Sequence, residues 1–429
     1  MKFSQHARIT CLLFMFGTIV SAAFCADSGT LRVGVAKVDI TPADPTKLTN
    51  LWELPFTGVH DKTYARAIVL DNGVTSAAIV AVDTVELTNG APLVARIAKE
   101  TGIPASNIVI AASHNHSAPM WSLVNAEGQR KAGPGGAAFL DKVSDDLVAG
   151  IKHAKANMQP ARVGIGSGAA DININRDELT AHGYTFGRNP SGPSDKTVWV
   201  MKFETLSGEP LALFINYAVH ATIVGPRNSL LTGELPGATS RFVEQHYNDK
   251  VVALWTSGPA GDQHPILSSD GDDSEKSFKD VDVLGQILGE EVVRVADNIK
   301  DTNPQPRIWG MEKTVTCPGK KAITGPRPDG PIVDENTAPV NIRLGVLMVD
   351  KTALAEVSAE VVTKLYQELR QQSPYTNTIL VTLVNARAGY IPDDASYDLQ
   401  TQEAVGSTLK KGCGESAVVN GLLDLIRQY

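Results

Sequence analysis

The stretch "IVIAASHNHSAP", residues 108–119, begins as an apolar run and ends with two imidazoles, His114 and His116. Residues 108–112 are typical of a strand buried on both faces of an α/β sheet. Side chains two residues apart on extended backbone point to the same side, so both imidazoles should project together beyond the strand's carboxyl end. Open α/β sheets bind ligands at that end. Two hydrogen-bonded structural histidines would explain the pair equally well.

Two further apolar runs end in the same manner. The run "LALFINYAVH", residues 211–220, ends in His220, and "VVALWTSGPAGDQHP", residues 251–265, turns through two glycines to Asp262 and His264. Four of the 9 histidines therefore follow predicted buried strands. Zinc favours neutral imidazoles together with a carboxylate, so the pattern predicts a zinc or proton-transfer centre. Unrelated turn histidines are the alternative interpretation.

Apolar strand-like runs alternate with amphipathic helical runs along the chain, which predicts an α/β fold of mixed β-sheets with helices packed outside. The predicted strands cover residues 77–82, 107–112, 198–203, 211–219 and 251–255. Predicted core-facing helices cover 138–155 and 283–299, the latter through Leu284, Ile287, Leu288 and Val295. Residues 183–195 and 318–339, rich in Gly, Pro or Ser, are predicted loops. The segment after 339 is too short for a core of its own, which favours a single domain.

Composition and missing motifs exclude several functions. With 43% hydrophobic and 20% charged residues the chain is typical of a globular protein, and its net charge of −8 offers no basic surface for nucleic acid. The sequence contains no H-E-x-x-H helix, no phosphate-binding Gly-Lys-Ser/Thr loop and no G-x-S-x-G elbow. A two-metal phosphoesterase using Asp83, Asn115 and the histidines is an alternative that the spacing supports less well.

The N-terminal residues 1–25 have the pattern of a signal peptide: Lys2 and Arg8, an apolar run over residues 9–20, then the small tripeptide at 21–23. An uncleaved membrane anchor is the alternative. We therefore expect a secreted or periplasmic mature protein over residues 26–429, with no later membrane span. Export would permit a disulfide between Cys317 and Cys413 without requiring one.

Several blocks of the chain, in order from about residue 33 to its end, resemble the neutral/alkaline non-lysosomal ceramidases. They are "VGVAKVDITP", "HDKTYARAIVL", "ASHNHSAP", "NYAVHATIVG" with "TGELPG", "GPAGDQHP", "ALAEVSAEV" and "NARAGYIPDDASY". The resemblance implies one catalytic domain of neutral ceramidase type over residues 26–429. It also implies a zinc-dependent hydrolase that cleaves an N-acyl amide bond with zinc-activated water.

Carried over block by block, the resemblance implies four zinc ligands: His114, His220, Glu360 and Tyr390. Glu360 lies in "VSAEV", where the family has Pro-Gly-Glu. The resemblance makes His116 the proton-transfer histidine and Arg176 a substrate-binding residue. Asp262 is also expected at the catalytic site, where it would orient its turn or a ligand.

His264 stands where the family's Gly-Asp-x-Ser-Pro turn has serine. We expect this imidazole to narrow the pocket and to act as an acid or an oxyanion donor, which favours a smaller or more polar N-acyl compound over a two-chain lipid. The chain also ends soon after "GYIP", so we do not expect the family's immunoglobulin-like C-terminal domain in it. A zinc esterase and a non-catalytic ligand-binding homologue are the alternative functions.

Overall fold

The computed structural model describes residues 29–120, 133–268, 274–323 and 335–429, so the predicted signal peptide lies outside the described residues. The described strands are β1 (Arg32–Asp39), β2 (Gly58–Val59), β3 (Tyr64–Asp71), β4 (Ser76–Val82), β5 (Ile108–Ala112), β6 (Gln159–Ala169), β7 (Asn173–Thr180), β8 (Gly183–Asn189), β9 (Thr197–Thr205), β10 (Pro210–Tyr217), β11 (Leu230–Leu231), β12 (Val252–Ser257), β13 (Gln263–Pro265), β14 (Ile308–Lys320), β15 (Asn336–Val349), β16 (Thr352–Val357), β17 (Glu360–Val361), β18 (Asn377–Val381) and β19 (Tyr390–Ile391). The described α-helices are α1 (Ala91–Thr101), α2 (Gly136–Ala156), α3 (Glu234–His246), α4 (Ser274–Asn298), α5 (Thr363–Gln372), α6 (Asp394–Leu399), α7 (Gln402–Gly406) and α8 (Gly414–Ile426).

Two mixed sheets form the centre of the molecule. Eight strands pair in the order β12-β10-β9-β6-β1-β3-β4-β5, and four pair in the order β14-β15-β16-β18. Strands β4 and β5, β10 and β12, and β16 and β18 are parallel, while the other pairs in these sheets are antiparallel. One apolar cluster, which includes Phe203 and Phe214 of the large sheet and Leu347 and Leu354 of the small one, joins their facing sides.

Helices cover the outer sides of both sheets. Helices α1 and α2 pack on β1 and its neighbours, α3 and α4 on the β9–β12 half, and α5 and α8 on the small sheet. The large sheet is strongly curved, because β12 at one edge contacts β3, β4 and β5 near the other. That curvature brings the carboxyl ends of β5, β10 and β12 together.

The predicted fold class is confirmed, and each predicted strand and helix overlaps an observed one. The core-facing assignment of Ile287 is wrong, because its side chain is 44% exposed on α4 whereas Leu284, Leu288 and Val295 are buried. The described residues contain no helix whose length and apolar character would let it span a membrane.

The predicted loop at 183–195 is wrong over its first half, which is strand β8. Gly183 has a φ of 98° and closes a tight hairpin, where it pairs with Thr180. Gly187 lies within β8. A Cβ at this position would come within 2.0 Å of Glu178 Oε2, which explains why the strand has glycine there. The two glycines that suggested a loop therefore serve a hairpin.

The predicted loop at 318–339 is partly wrong, because β14 continues to Lys320 and β15 starts at Asn336; residues 324–334 lie outside the described residues. A register shift between Cys317 and Gly319 accommodates Pro318 in the strand. Cys317 and Cys413 form a disulfide, which ties β14 to the residue before α8.

Candidate active site

The two histidines of the first stretch lie directly beyond β5. His114 has a φ of 60°, a left-handed conformation that is costly for a residue with a Cβ and that the surrounding structure must hold in place. Asn115 forms a parallel bridge with Ala221, the residue after His220. This bridge aligns the ends of β5 and β10 and brings the rings of His114 and His220 to a centroid distance of 4.5 Å.

Backbone carbonyl groups fix the orientation of both rings. Nδ1 of His114 donates to Val85 O at 2.9 Å, and Nδ1 of His220 donates to Gln263 O at 3.0 Å. In the neutral rings Nε2 therefore carries the lone pair. Such a hydrogen bond behind a ring is the usual support of a metal-binding histidine.

A carboxylate faces the same two nitrogens. Glu360 Oε2 lies 3.1 Å from His114 Nε2 and 3.2 Å from His220 Nε2. Glu360 starts β17, which pairs in parallel with β19 so that Glu360 and Tyr390 are register partners. The small sheet's side of the molecule thus completes a site begun by the strand ends of the large sheet.

The charges of this group are coupled. Burial works against the ionised Glu360, but His114 and His220 hold the pKa of its carboxyl well below the usual range. Burial likewise disfavours charged His114, yet Glu360 raises its pKa. Burial, Arg176 and His114 lower the pKa of His220 to about 4. Three acceptor atoms facing one another require a proton or a cation between them, and this donor set fits zinc.

His116 lies next to the pair, with Nε2 at 3.3 Å from His114 Nε2. The ligand nitrogens of His114, His116 and His220 all lie within 4.8 Å of one another. Burial, and then the charges of His114 and His220, lower the pKa of His116 well below its usual range. Its Nδ1 is buried without a hydrogen-bond partner among the described residues. A neutral imidazole with one uncommitted nitrogen can accept a proton.

Arg176, on β7, connects the site to the cavity. Its Nη1 lies 3.2 Å from His220 Nε2, and its guanidinium is hydrogen-bonded with the Tyr390 hydroxyl and lies 5.4 Å from the Tyr390 ring centre. Because Arg176 can donate to the lone pair of His220 that would bind a metal, arginine and cation compete for it. Burial and the nearby Glu360 raise the pKa of Tyr390.

Asp262 lies behind the site and its carboxylate is fully engaged. Oδ1 accepts from the backbone N–H and the hydroxyl of Thr363, both at 2.8 Å, and Oδ2 accepts from Asn175 at 2.9 Å. Among the described residues it does not line the cavity. These contacts favour a residue that fixes the turn over one that reacts.

His264 lines a cavity of about 520 Å³ that opens beside the histidines. His116, Arg176, His220 and Tyr390 share its wall. Nδ1 of His264 lies 3.4 Å from Thr222 Oγ1, and the ring packs edge-on against Phe186 at 5.1 Å. Burial, and then Arg176, His220 and Arg188, lower its pKa to about 3. This favours a neutral hydrogen-bond donor over an acid that titrates near neutral pH.

The residues of the phosphoesterase alternative point elsewhere. Asp83 accepts from the backbone N–H of Tyr64 at 2.8 Å and lies 3.8 Å from Arg66. The Asn115 side chain donates to Thr232 O at 2.7 Å. Neither group faces the imidazoles, so the structure does not support a second metal at these positions.

Several residues of the site escaped sequence reasoning. Trp52 and Phe186 form aromatic walls of the cavity and Arg188 lies in its lining. Glu403, on α7, is fully buried and its Oε1 accepts from Arg176 Nε at 2.7 Å. The segment "TQEAVG" around Glu403 has neither a strand end nor a histidine to mark it.

Comparison with known proteins identifies the family. A family profile described as "Neutral/alkaline non-lysosomal ceramidase, N-terminal" matches residues 31–282, which is more than half of the chain. The chain belongs to this ceramidase family. The match contains His114, His116, Arg176, His220 and His264, whereas Glu360 and Tyr390 lie beyond it.

The relatives are similar over part of their length. Neutral ceramidase of Drosophila pseudoobscura pseudoobscura is 26% identical over 265 residues, 56% of this chain and 37% of the relative. Neutral ceramidase A of Dictyostelium discoideum is 27% identical over 259 residues, 54% of this chain and 34% of the relative. The Pseudomonas aeruginosa neutral ceramidase is 27% identical over 292 residues, 62% of this chain and 41% of the relative. The matches thus span about two fifths or less of these relatives.

The crystal structure of neutral ceramidase from Pseudomonas aeruginosa has the same fold. It superposes with a TM-score of 0.75 at 18% sequence identity, covering 93% of this chain and 74% of that one. The superposition includes most of the chain beyond residue 282, so the likeness extends to the side of the fold that carries Glu360 and Tyr390.

Proposed function

We propose that the chain is an exported, zinc-dependent amidohydrolase that cleaves an N-acyl amide bond in a ceramide-like or smaller N-acyl substrate. The convergence of His114 Nε2, His220 Nε2 and Glu360 Oε2 carries this proposal, because three buried acceptors at 3.1–3.2 Å need a proton or a cation between them and this donor set fits zinc. Membership of the ceramidase family supports the reaction class.

His114, His220, Glu360 and Tyr390 would hold the zinc. When bound, zinc supplies a Lewis acid that lowers the pKa of water and polarises a carbonyl group. As the register partner of Glu360 and part of the same cavity wall, Tyr390 supports this ligand set. In an alternative ligand set His116 replaces one of these four residues, since its ring nitrogen lies within 4.8 Å of those of His114 and His220.

The other side chains transfer protons and orient the substrate. Neutral His116 accepts a proton from the attacking water as the new C–O bond forms, and it returns that proton to the amine nitrogen as the C–N bond breaks. Arg176 points from β7 into the cavity and donates to the polar group of the substrate. His264 donates a hydrogen bond to the developing oxyanion, for which its neutral state is suited.

The cavity argues for a compact substrate portion. A volume of about 520 Å³ lies in the middle of the range for sites that enclose one small ligand. Trp52 and Phe186 provide apolar contact for an acyl group, while the imidazole of His264 takes space that a serine side chain would leave open. We propose that an N-acyl compound with one chain fits better than a two-chain lipid.

Export is proposed on two grounds. The N-terminal 25 residues have the signal-peptide pattern, and the disulfide between Cys317 and Cys413 is of a kind that persists in oxidising compartments. Sequencing the N-terminus of the protein recovered from the culture medium or periplasm tests this directly.

One assay tests the activity. Purified protein is analysed for metal and then incubated with ceramides, N-acyl amino acids and the matching esters, before and after chelation. We expect about one zinc per chain, amide cleavage that chelation abolishes, and no cleavage by Glu360→Gln. Metal-independent cleavage, or cleavage of esters alone, would contradict the proposal.

A further inference from the structure

A second group of buried charged side chains lies behind the cavity wall. Arg176, Asp177, Asp262 and Glu403 are each at most 9% exposed and come from β7, the turn before β13 and α7. Of the three carboxyl groups, that of Glu403 pairs directly with the guanidinium. The carboxylate of Asp262 is already satisfied by Asn175 and Thr363. The protonation of Asp177 and Glu403 therefore sets the net charge of this group.

Glu403 holds Arg176 from the side that faces away from the histidines. Its Oε1 accepts from Arg176 Nε at 2.7 Å, while Nη1 of the same guanidinium lies 3.2 Å from His220 Nε2. The direction in which Arg176 presents its other N–H groups to Tyr390 and the cavity therefore depends on Glu403. A charge-assisted contact of this kind fixes geometry as well as charge.

The Glu403 side chain also approaches Asp177. Glu403 Oε2 is buried and has no hydrogen-bond partner among the described residues, and Asp177 lies within hydrogen-bonding reach of the Glu403 side chain. Asp177 Oδ1 also accepts from the backbone N–H of Gln402 at 3.2 Å, which keeps the two carboxyl groups together. Two ionised carboxylates in contact inside a protein repel each other, and one proton between them removes the conflict. Burial, and then Glu403, raise the pKa of Asp177 to about 8.

We propose that Asp177 and Glu403 share one proton and together supply the single negative charge that orients Arg176 toward the substrate. Both are positioning residues, because they act through Arg176. The inference rests on the proposed function, in which Arg176 binds the polar group of the substrate.

A double-mutant cycle tests the shared charge. In Glu403→Gln the amide oxygen still accepts from Arg176 and Asp177 ionises, and in Asp177→Asn the carboxylate of Glu403 remains, so each single variant keeps one negative charge. Each should lose less than about threefold in kcat/KM, whereas Asp177→Asn/Glu403→Gln should lose about a hundredfold or more because the guanidinium is no longer held in place. A loss in the double variant equal to the product of the single losses would contradict the proposal.

Infrared spectroscopy tests the proton without relying on activity. In wild-type-minus-variant difference spectra at pH 7, the bands of the other buried carboxyl groups cancel. The carbonyl stretch of one protonated carboxyl group should then remain for both single variants. The reason is that either substitution leaves one ionised carboxylate. Difference spectra that show no such band for Asp177→Asn and Glu403→Gln would refute the shared proton.

Glu356→Gln is the matched control, since Glu356 is a buried carboxylate that accepts from Arg343 at 2.9 Å and does not line the cavity. It should lower the free energy of unfolding and leave kcat/KM unchanged. If Glu356→Gln instead lost as much kcat/KM as the Glu403 variant, the effect of Glu403 would be explained by general destabilisation. A wild type that cleaves no N-acyl substrate would refute the proposed function, and the infrared result would still decide on the pair.

Discussion

Two clusters of buried charged side chains occupy the same fold and differ in how their charges are satisfied. Around Arg66, the carboxylate of Glu244 accepts from Arg66 Nε at 2.8 Å and Nη2 at 3.2 Å, and from Lys37 Nζ at 2.7 Å. In that cluster donors meet acceptors. In the other, His114 Nε2, His220 Nε2 and Glu360 Oε2 are acceptors directed at one another.

The difference distinguishes a cluster that stabilises the fold from one that binds a ligand. A paired cluster holds α3 against the large sheet and is complete, because burial of a charge is tolerated when its hydrogen bonds are made. In the second group Arg176 can satisfy only His220, so the acceptors that face one another need a further cation or proton, which indicates binding. Burial alone would not distinguish them, since Arg66 is 3% and Glu244 1% exposed while His114 is 2% and His220 1% exposed.

The largest expected effect comes from His114→Ala/His220→Ala. Removal of two imidazoles should lower zinc from about one per chain to near zero and reduce amide cleavage to the background rate, with the far-ultraviolet circular dichroism retained. Glu244→Gln is the control from the paired cluster. It should keep the zinc but lower the free energy of unfolding by about 3 kcal/mol or more, because Arg66 and Lys37 lose their counter-charge. A folded double-histidine variant that keeps its zinc would remove the proposed site.

A smaller effect is expected from His116→Ala. If His116 transfers protons, kcat falls by roughly 10²–10⁴-fold and the zinc content is unchanged. Elemental analysis beside steady-state kinetics distinguishes the two roles of this residue. Zinc loss in His116→Ala would instead make it a ligand.

The pH dependence of stability should change in Asp177→Asn. The pKa of Asp177 is about 8 in the folded protein against 3.8 for the free side chain, so the folded state binds the extra proton between these values. The corresponding contribution to stability is fully present below about pH 4 and is lost as the pH rises through 8, on the order of a few kcal/mol. Urea unfolding at pH 5 and pH 8 should show a smaller decline in the variant than in the wild type. Equal declines would exclude a raised pKa.

The smallest effect is expected from His264→Ser. Because the pKa of His264 is about 3, its replacement should leave both limbs of the pH profile near neutrality in place. The preference should move toward bulkier N-acyl substrates, with a change of about tenfold in the ratio of kcat/KM values. Loss of a limb near pH 6.5, with zinc retained, would restore the proton-transfer role that the sequence suggested.

Sequence reasoning predicted well wherever local pattern determines structure. The apolar runs before His114, His220 and Asp262 are buried strands, and their ends meet as predicted. Strand β8 was missed because glycine at 183 and 187 serves a hairpin and a crowded cross-strand contact, while Phe186 is 51% exposed and gives no alternating signal.

The remainder of the site depends on contacts between distant segments. Glu360 and Tyr390 could be proposed only by resemblance, because the pairing of β17 with β19 brings two-residue strands together without a periodic pattern. Glu403 was not predicted, since it meets Arg176 across 227 positions in the chain. Such juxtapositions follow from the packing of the two sheets and not from any local pattern.

The most direct test of the central claim is the location of the metal. Crystals of the zinc-loaded protein are measured on both sides of the zinc absorption edge, and the anomalous difference map is calculated without metal in the phases. We predict one peak within bonding distance of His114 Nε2, His220 Nε2 and a carboxylate oxygen of Glu360. A peak elsewhere, or none at these three atoms in protein that cleaves amides, would contradict the account.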